Sequence, residues 1–218
     1  MMTAPTTPAP RAPFPAFAKT LALLAACLLV VGCSLSRPAP VKQVFLLEAA
    51  TPAPAAKPQP GTLRVGTVGV AAPYRGKALV FRESELRYDA DFYTEFLVAP
   101  SPMIGEATAR ALDGARVFTR VIPPGAAADG DWVLDGFVSA LYGDRRDPAK
   151  PAAELAITWY LTRADAATLT PFWSKEYRRR IPVASRTADA HAAALSEALG
   201  DIVSELARDL ATVSLPSR

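Results

Sequence analysis

The stretch "DWVLDGFVSALYGD" (residues 131–144), with "ELAITWYLTRAD" (residues 154–165) after it, decides the fold class. In the second segment Leu155, Ile157, Trp159 and Leu161 alternate with Ala156, Thr158, Tyr160 and Thr162. A period of two sends successive side chains to opposite faces of a strand, so one face is core and the other is wet or meets a partner. The first segment is a longer apolar strand with Asp135 and Ser139 four apart on one face. Between them "GDRRDPAKPA" has the turn chemistry of a hairpin longer than two residues.

Downstream, "PFWSKEYRRRIPV" (residues 171–183) completes an antiparallel run. Its "KEYRRRI" places cations on both faces and reads as an edge strand protected by charge; the other reading is contact with an acidic partner or lipid headgroups. A helix then starts near Thr187, with Ala188, Ala192, Leu195, Leu199, Ile202, Leu206 and Leu210 recurring at steps of three and four. Such a stripe covers a sheet face. Gly200 weakens that helix by about 1 kcal/mol relative to Ala.

Upstream, "LRVGTVGVAA" (residues 63–72) is a strand of imperfect alternation, Leu63, Val65, Thr67 and Gly69 against Arg64, Gly66, Val68 and Val70, with close backbone approach at its glycines. "ALVFRES" is a second short strand, and "RYDADFYTEF" mixes polar and aromatic residues. "SPMIGEATARALDGA" reads as a helix with Pro in its first turn and Gly114 at its close. "VFTRVI" is a strand stopped by Pro123 and Pro124. The expected fold is α+β: two layers, a mixed and largely antiparallel sheet with two helices on one face.

The N-terminal region is read differently. Residues 1–19 carry Arg11 and Lys19, no acid and five prolines, and lead into "LALLAACLLVV" (residues 21–31). As a helix these 11 residues would be about 16 Å long, too short for a bilayer core of about 30 Å. A basic flank, a short apolar region and a small residue before the cut make a secretory signal peptide, assigned to residues 1–32. Val30-Val31-Gly32-Cys33 resembles a bacterial lipobox, so Cys33 becomes the acylated first residue of the mature protein. Cys27 is discarded with the signal, leaving no thiol for a disulfide. By the same resemblance, Ser34 rather than Asp after the cysteine sorts the protein to the outer membrane. More than one acyl chain is needed for stable anchoring.

Processing removes 2 of 24 basic residues and none of the 21 acids, so the mature 186 residues carry 22 − 21 = +1. A nucleic-acid binder would show a basic patch and a higher pI, which disfavours that class. Residues 33–43 form the acylated terminus and tether, with ten or so residues reaching about 30 Å when extended. Residues 44–212 form one domain, and 213–218 a tail. Within the domain, Val44 to Leu47 is an edge strand, and the proline-rich spacer 49–62 is a surface crossing.

Catalytic and metal-binding patterns are sparse. His191, the single histidine, sits in an alanine-rich helix with Asp189 two residues back, off its face, and is expected at the surface or at a helix interface. "GTVGVAAPYRG" lacks the glycine fingerprints of phosphate loops. The acid pairs Glu83/Glu85 and Asp129/Asp131 are expected to be solvated. No catalytic residue, metal ligand or cofactor is assigned, the lipid on Cys33 excepted.

From the lipobox onward the order "VKQVFLLEA", a proline spacer, "LRVGTVGVAAPYRGKALVFRESELRYDADFYTEFLVAPSPMI", a helix closing in "LDGARVFTRVI", "WVLDGFVSALY" and a C-terminal amphipathic helix resembles the ABC-type transport auxiliary lipoprotein family, the third component of paraquat-inducible Pqi-type systems. The resemblance spans roughly residues 33–212. It implies a non-enzymatic partner, lipid-anchored at the periplasmic face of the outer membrane, for an MCE-domain protein and its inner-membrane ABC transporter, which move lipids or other apolar molecules across the periplasm. A ring of copies would match a ring-shaped partner. Tyr88, Phe92, Tyr93 and Phe96 are candidate contact residues, since aromatics beside acids suit an interface. The competing reading is an envelope assembly or structural lipoprotein with no transport role.

The mature product is expected to begin at Cys33 with diacylglyceryl on sulfur and an acyl group on the amine, read by intact-mass analysis; Cys33→Ala should leave it uncleaved and unlipidated.

Overall fold

The computed structural model describes residues 41–165 and 170–216. The signal peptide, Cys33 and Ser34 lie outside the described residues. From Val41 onward the chain is one compact unit. Its strands are β1 (Gln43–Phe45), β2 (Gln59–Val70), β3 (Ala78–Arg82), β4 (Tyr88–Phe96), β5 (Phe118–Ile122), β6 (Trp132–Asp144), β7 (Ala152–Arg163) and β8 (Trp173–Pro182). Helix α1 (Pro100–Gly114) follows β4, and α2 (Ala188–Thr212) follows β8.

All eight strands join in one open sheet, and β6 is its spine. On one edge β6 pairs antiparallel with β7 along its length, and β7 pairs antiparallel with β8. The other edge of β6 is shared. Its first half runs parallel to β2, which carries β5, and its end at Gly143 and Asp144 runs parallel to β3, which carries β4 and β1. Four of the seven pairings are therefore parallel, yet the two longest are the antiparallel ones that the hairpin sequence predicts. Helix α1 lies on β2 and β5, α2 lies on β7 and β8, and the helices touch. They form one layer, as expected.

Bulges account for the uneven sequence periods. The β2–β6 register shifts between Val65 and Val68, so Thr67 turns outward while Leu63, Val65, Val68 and Val70 stay inward. The Asp135 carboxylate accepts the Thr67 N–H at 2.8 Å, and a Cβ on Gly66 would lie 2.2 Å from the same oxygen. Gly66 is the close-approach glycine, and alternation across residues 63–70 is reset at it. A second extra residue, Ser139, separates Val138 from Ala140 opposite β7. Beyond it Ala140, Tyr142 and Asp144 occupy the face that Asp135 and Phe137 leave open to water.

Strand β2 begins at Gln59, four residues before the expected start, through Pro60 and Gly61. Gly61 has φ +92°, a left-handed value that side chains disfavour, and the Asp131 carboxylate accepts the next N–H, Thr62, at 2.8 Å. The region 87–96 is also a strand, β4, although its side chains show no clear alternation. Three more residues of β4 than of β3 lie between the pairs Ala78–Glu95 and Val80–Ala90.

The proline-rich spacer crosses the helix layer as a strap. Leu47 is buried, with its N–H 3.3 Å from the Met103 sulfur; the Glu48 N–H donates to Ser196 Oγ; and Ala55 and Gln59 donate to the Ala115 and Val117 carbonyls at 2.8 Å. A Cβ on Gly200 would stand 3.3 Å from the Ala50 nitrogen, and one on Gly114 2.7 Å from Thr51 Cγ2. The glycine that weakens α2 thus makes room for the strap. Where α2 ends, the Gln59 amide donates to the carbonyls of Leu210, Ala211 and Val213, satisfying terminal groups that have no partner within the helix.

At Gly136 a Cβ would sit 2.7 Å from the ring of Trp159, which is wholly buried. Gly136→Ala should destabilise the domain by about 1–3 kcal/mol through overpacking, read as a lower urea midpoint at unchanged slope. Gly76→Ala, with nothing within 4 Å of the new methyl group, should leave the midpoint within error.

Candidate functional site

The four aromatics singled out in the sequence fall in three environments. Phe96 is 2% exposed and part of the core, so it is withdrawn from any interface: it pairs with Phe45 of β1 and its side chain points under the sheet. Tyr88 is half-exposed and packs edge-on against Tyr142 at 5.8 Å, with the Arg82 guanidinium 5.5 Å from its ring centre. Tyr74 also stacks on Tyr142, with ring centres 6.0 Å apart, and burial, then the neighbouring Tyr88, push its hydroxyl pKa up to about 12. Phe92 and Tyr93 point outward at the β4 bulge, 79% and 45% exposed, with their rings 5.1 Å apart. The Asp91 carboxylate accepts the Tyr93 N–H at 2.8 Å and fixes that outward turn.

Most charges are engaged within the fold. On β8, Lys175 and Arg179 face α2, where Lys175 reaches Glu205 at 2.9 Å and Asp209 at 2.7 Å, and Arg179 binds Glu205. The buried Tyr177 donates its hydroxyl to Asp209 at 2.6 Å, and burial raises its pKa. On the other face Arg178 meets Glu154, and Arg180 meets both Glu154 and Asp144. Asp144, 2% exposed, also receives Arg146, and these guanidinium bonds, Arg146's first, hold its carboxyl well below the usual range. The "KEYRRRI" strand is an edge, as expected, but its cations serve chiefly to bind neighbouring elements. Glu83 is likewise not solvated: it is paired with Arg145 and Arg186 at 3.6 Å each.

Of the two places expected for His191, surface or helix interface, the structure gives the interface between α2 and the sheet. The residue is fully buried, its ring edge-on to Phe81 at 5.1 Å and its Nδ1 2.8 Å from the Thr187 carbonyl. Thr187 caps the helix, and Gly143 lets the first turn settle onto the sheet, since a Cβ there would lie 2.5 Å from the imidazole. Burial lowers the His191 pKa.

The open face of the sheet holds a cleft of about 550 Å³ lined by Arg64, Asp135, Tyr160, Thr162 and Arg163, among others. A second hollow of about 700 Å³ lies beside it at Trp132 and Leu215. Neither is lined by histidine or cysteine. Among the described residues no cluster of His, Cys, Asp and Glu could hold a metal, and no helix is long and apolar enough to cross a membrane.

The family model described as ABC-type transport auxiliary lipoprotein component matches residues 45–207, from β1 through most of α2. The chain belongs to this family. The resemblance read from element order therefore holds, and by its family the protein is an auxiliary lipoprotein component of ABC-type transport. A crystal structure from Xanthomonas campestris, assigned to the DUF330 family, superposes with a TM-score of 0.65 at 18% identity, covering 75% of this chain and 92% of that one. A crystal structure of an uncharacterized protein superposes at 0.61 with 13% identity, covering 78% and 99%. At such identities these matches speak to the fold alone. No curated protein matches the sequence.

The auxiliary lipoprotein should lose stability in mild acid. Burial holds the His191 pKa below the ordinary 6.5, so the unfolded chain binds more protons as pH falls below 6.5 and stability falls with it. Arg145, Arg186 and Glu83 surround it. The melting temperature should decline between pH 6.5 and 5, and His191→Phe should flatten that slope. The contribution of Asp144 should fade only below its ordinary pKa of 3.8.

Proposed function

We propose that this lipoprotein is acylated on Cys33, sorted by Ser34 to the periplasmic face of the outer membrane, and serves there as a non-catalytic docking component for an MCE-type ABC transport system that carries lipids or other apolar molecules. The observation that carries the reading is the family match across residues 45–207, joined to a lipobox cysteine eight residues ahead of the first described residue. Two further features support it. Charged side chains are largely consumed in holding β8, α2 and the β6 end together. The histidine is sealed in the core rather than lining a cleft. Both suit a body whose task is to hold a position between membrane and transporter.

In this role the MCE protein spans the periplasm from its inner-membrane permease, and the anchored domain receives its distal end. Several copies around a ring-shaped tip would satisfy closed symmetry. Affinity purification of the tagged lipoprotein from solubilised envelopes should recover an MCE-domain protein and its permease, and Cys33→Ala should abolish that recovery by removing the anchor. An envelope pull-down lacking any MCE protein, from cells that express one, would overturn the transport reading and leave the assembly role.

A further inference from the structure

We propose that the β1–β4 edge lies against the phospholipid surface of the membrane that carries the anchor, with Phe92 and Tyr93 entering the headgroup boundary. The inference rests on acylation of Cys33. Four observations converge. This edge exposes Val44, Leu46, Phe92, Tyr93 and Leu97, between 45% and 79% of each; β4 carries the acids Asp89, Asp91 and Glu95, but β1 itself has none of the charge that usually guards an edge strand. The outward turn of the aromatics is built in, by the β4 bulge and by Asp91 accepting the Tyr93 N–H.

The chain also enters the domain at this edge. Val41 is eight residues on from Cys33, a contour of about 29 Å at most, so an acylated chain keeps the edge at a high effective concentration near lipid. The transport partner's far end has no such covalent claim on it. Finally, the polar groups of the edge can approach a headgroup layer. Glu95 is neutralised by Lys42 at 2.9 Å, and the Lys77 ammonium donates to the Leu97 carbonyl at 3.0 Å. Lysine stems can lie along apolar surface with their charge kept in water, and tyrosine suits a boundary that is apolar at one end and wet at the other.

The test uses the full mature lipoprotein reconstituted in vesicles of phosphatidylethanolamine and phosphatidylglycerol with brominated acyl chains, which quench nearby tryptophan. Phe92→Trp should lose at least half of its added emission relative to unbrominated vesicles. Arg208→Trp, on the exposed side of α2, should lose none. Intact mass of the same preparation reads the acylation separately. Acylated protein with Phe92→Trp unquenched overturns the docking while leaving the anchor intact. Protein without acyl chains overturns the anchor and, with it, the docking.

Discussion

One strand bears two partners along a single edge, and the domain depends on it. β6 is thirteen residues long, enough to pair with β2 first and β3 afterwards while β7 covers its whole opposite edge. The sheet therefore forks into a β2–β5 wing under α1 and a β3–β4–β1 wing that begins beside the tether. Three features hold the fork open. The Ser139 bulge turns Tyr142 and Asp144 to the face opposite the helices, Arg146 and Arg180 close on Asp144, and the glycine at position 143 admits Phe81 and His191 to the other face.

The strap then ties the wings to the helices. From β1 the chain passes Met103, Gly200 and Gly114 before it becomes β2, so the helix layer and the sheet are stitched by one continuous segment. A pull on the N-terminus would be borne by packed backbone rather than by a loose linker. Such a load path would suit the anchored docking role proposed above. It also explains a proline-rich segment inside a compact domain: proline fixes φ and lowers the entropy lost when the strap is laid down.

Much of this was legible in the sequence, because hydrophobic period is a local property. The β6–β7 hairpin, the α2 stripe and the start of α2 near Thr187 were readable from residues at steps of two, three and four. What escaped reading was set by partners distant in the chain. β4 hid because it lies near an edge and bulges, so its alternation breaks and Phe92 faces water while Phe96, four residues on, faces core. His191 could be placed from the sequence only at the surface or a helix interface, because the space it fills is made by Gly143, forty-eight positions away. The three arginines of β8 read mainly as a charged edge; apart from Glu176, which pairs with Arg178 two residues on, their acids lie on β6, β7 and α2, where no spacing within β8 points to them. Of the candidate site, Phe92 and Tyr93 are exposed as an interface requires, whereas Tyr88 belongs mainly to a tyrosine cluster.

The functional account requires that the anchored edge and the helix layer move as one body, since a domain that opened between its wings could not hold a fixed position between a membrane and a transporter. Native-state amide hydrogen exchange tests this most directly. If the fork at β6 is as described, amides of β3, β6 and β7 exchange only through global unfolding, with the same free energy and denaturant slope. A β3–β4–β1 wing that exchanges through its own opening, at much lower free energy than β6 and β7, would contradict it.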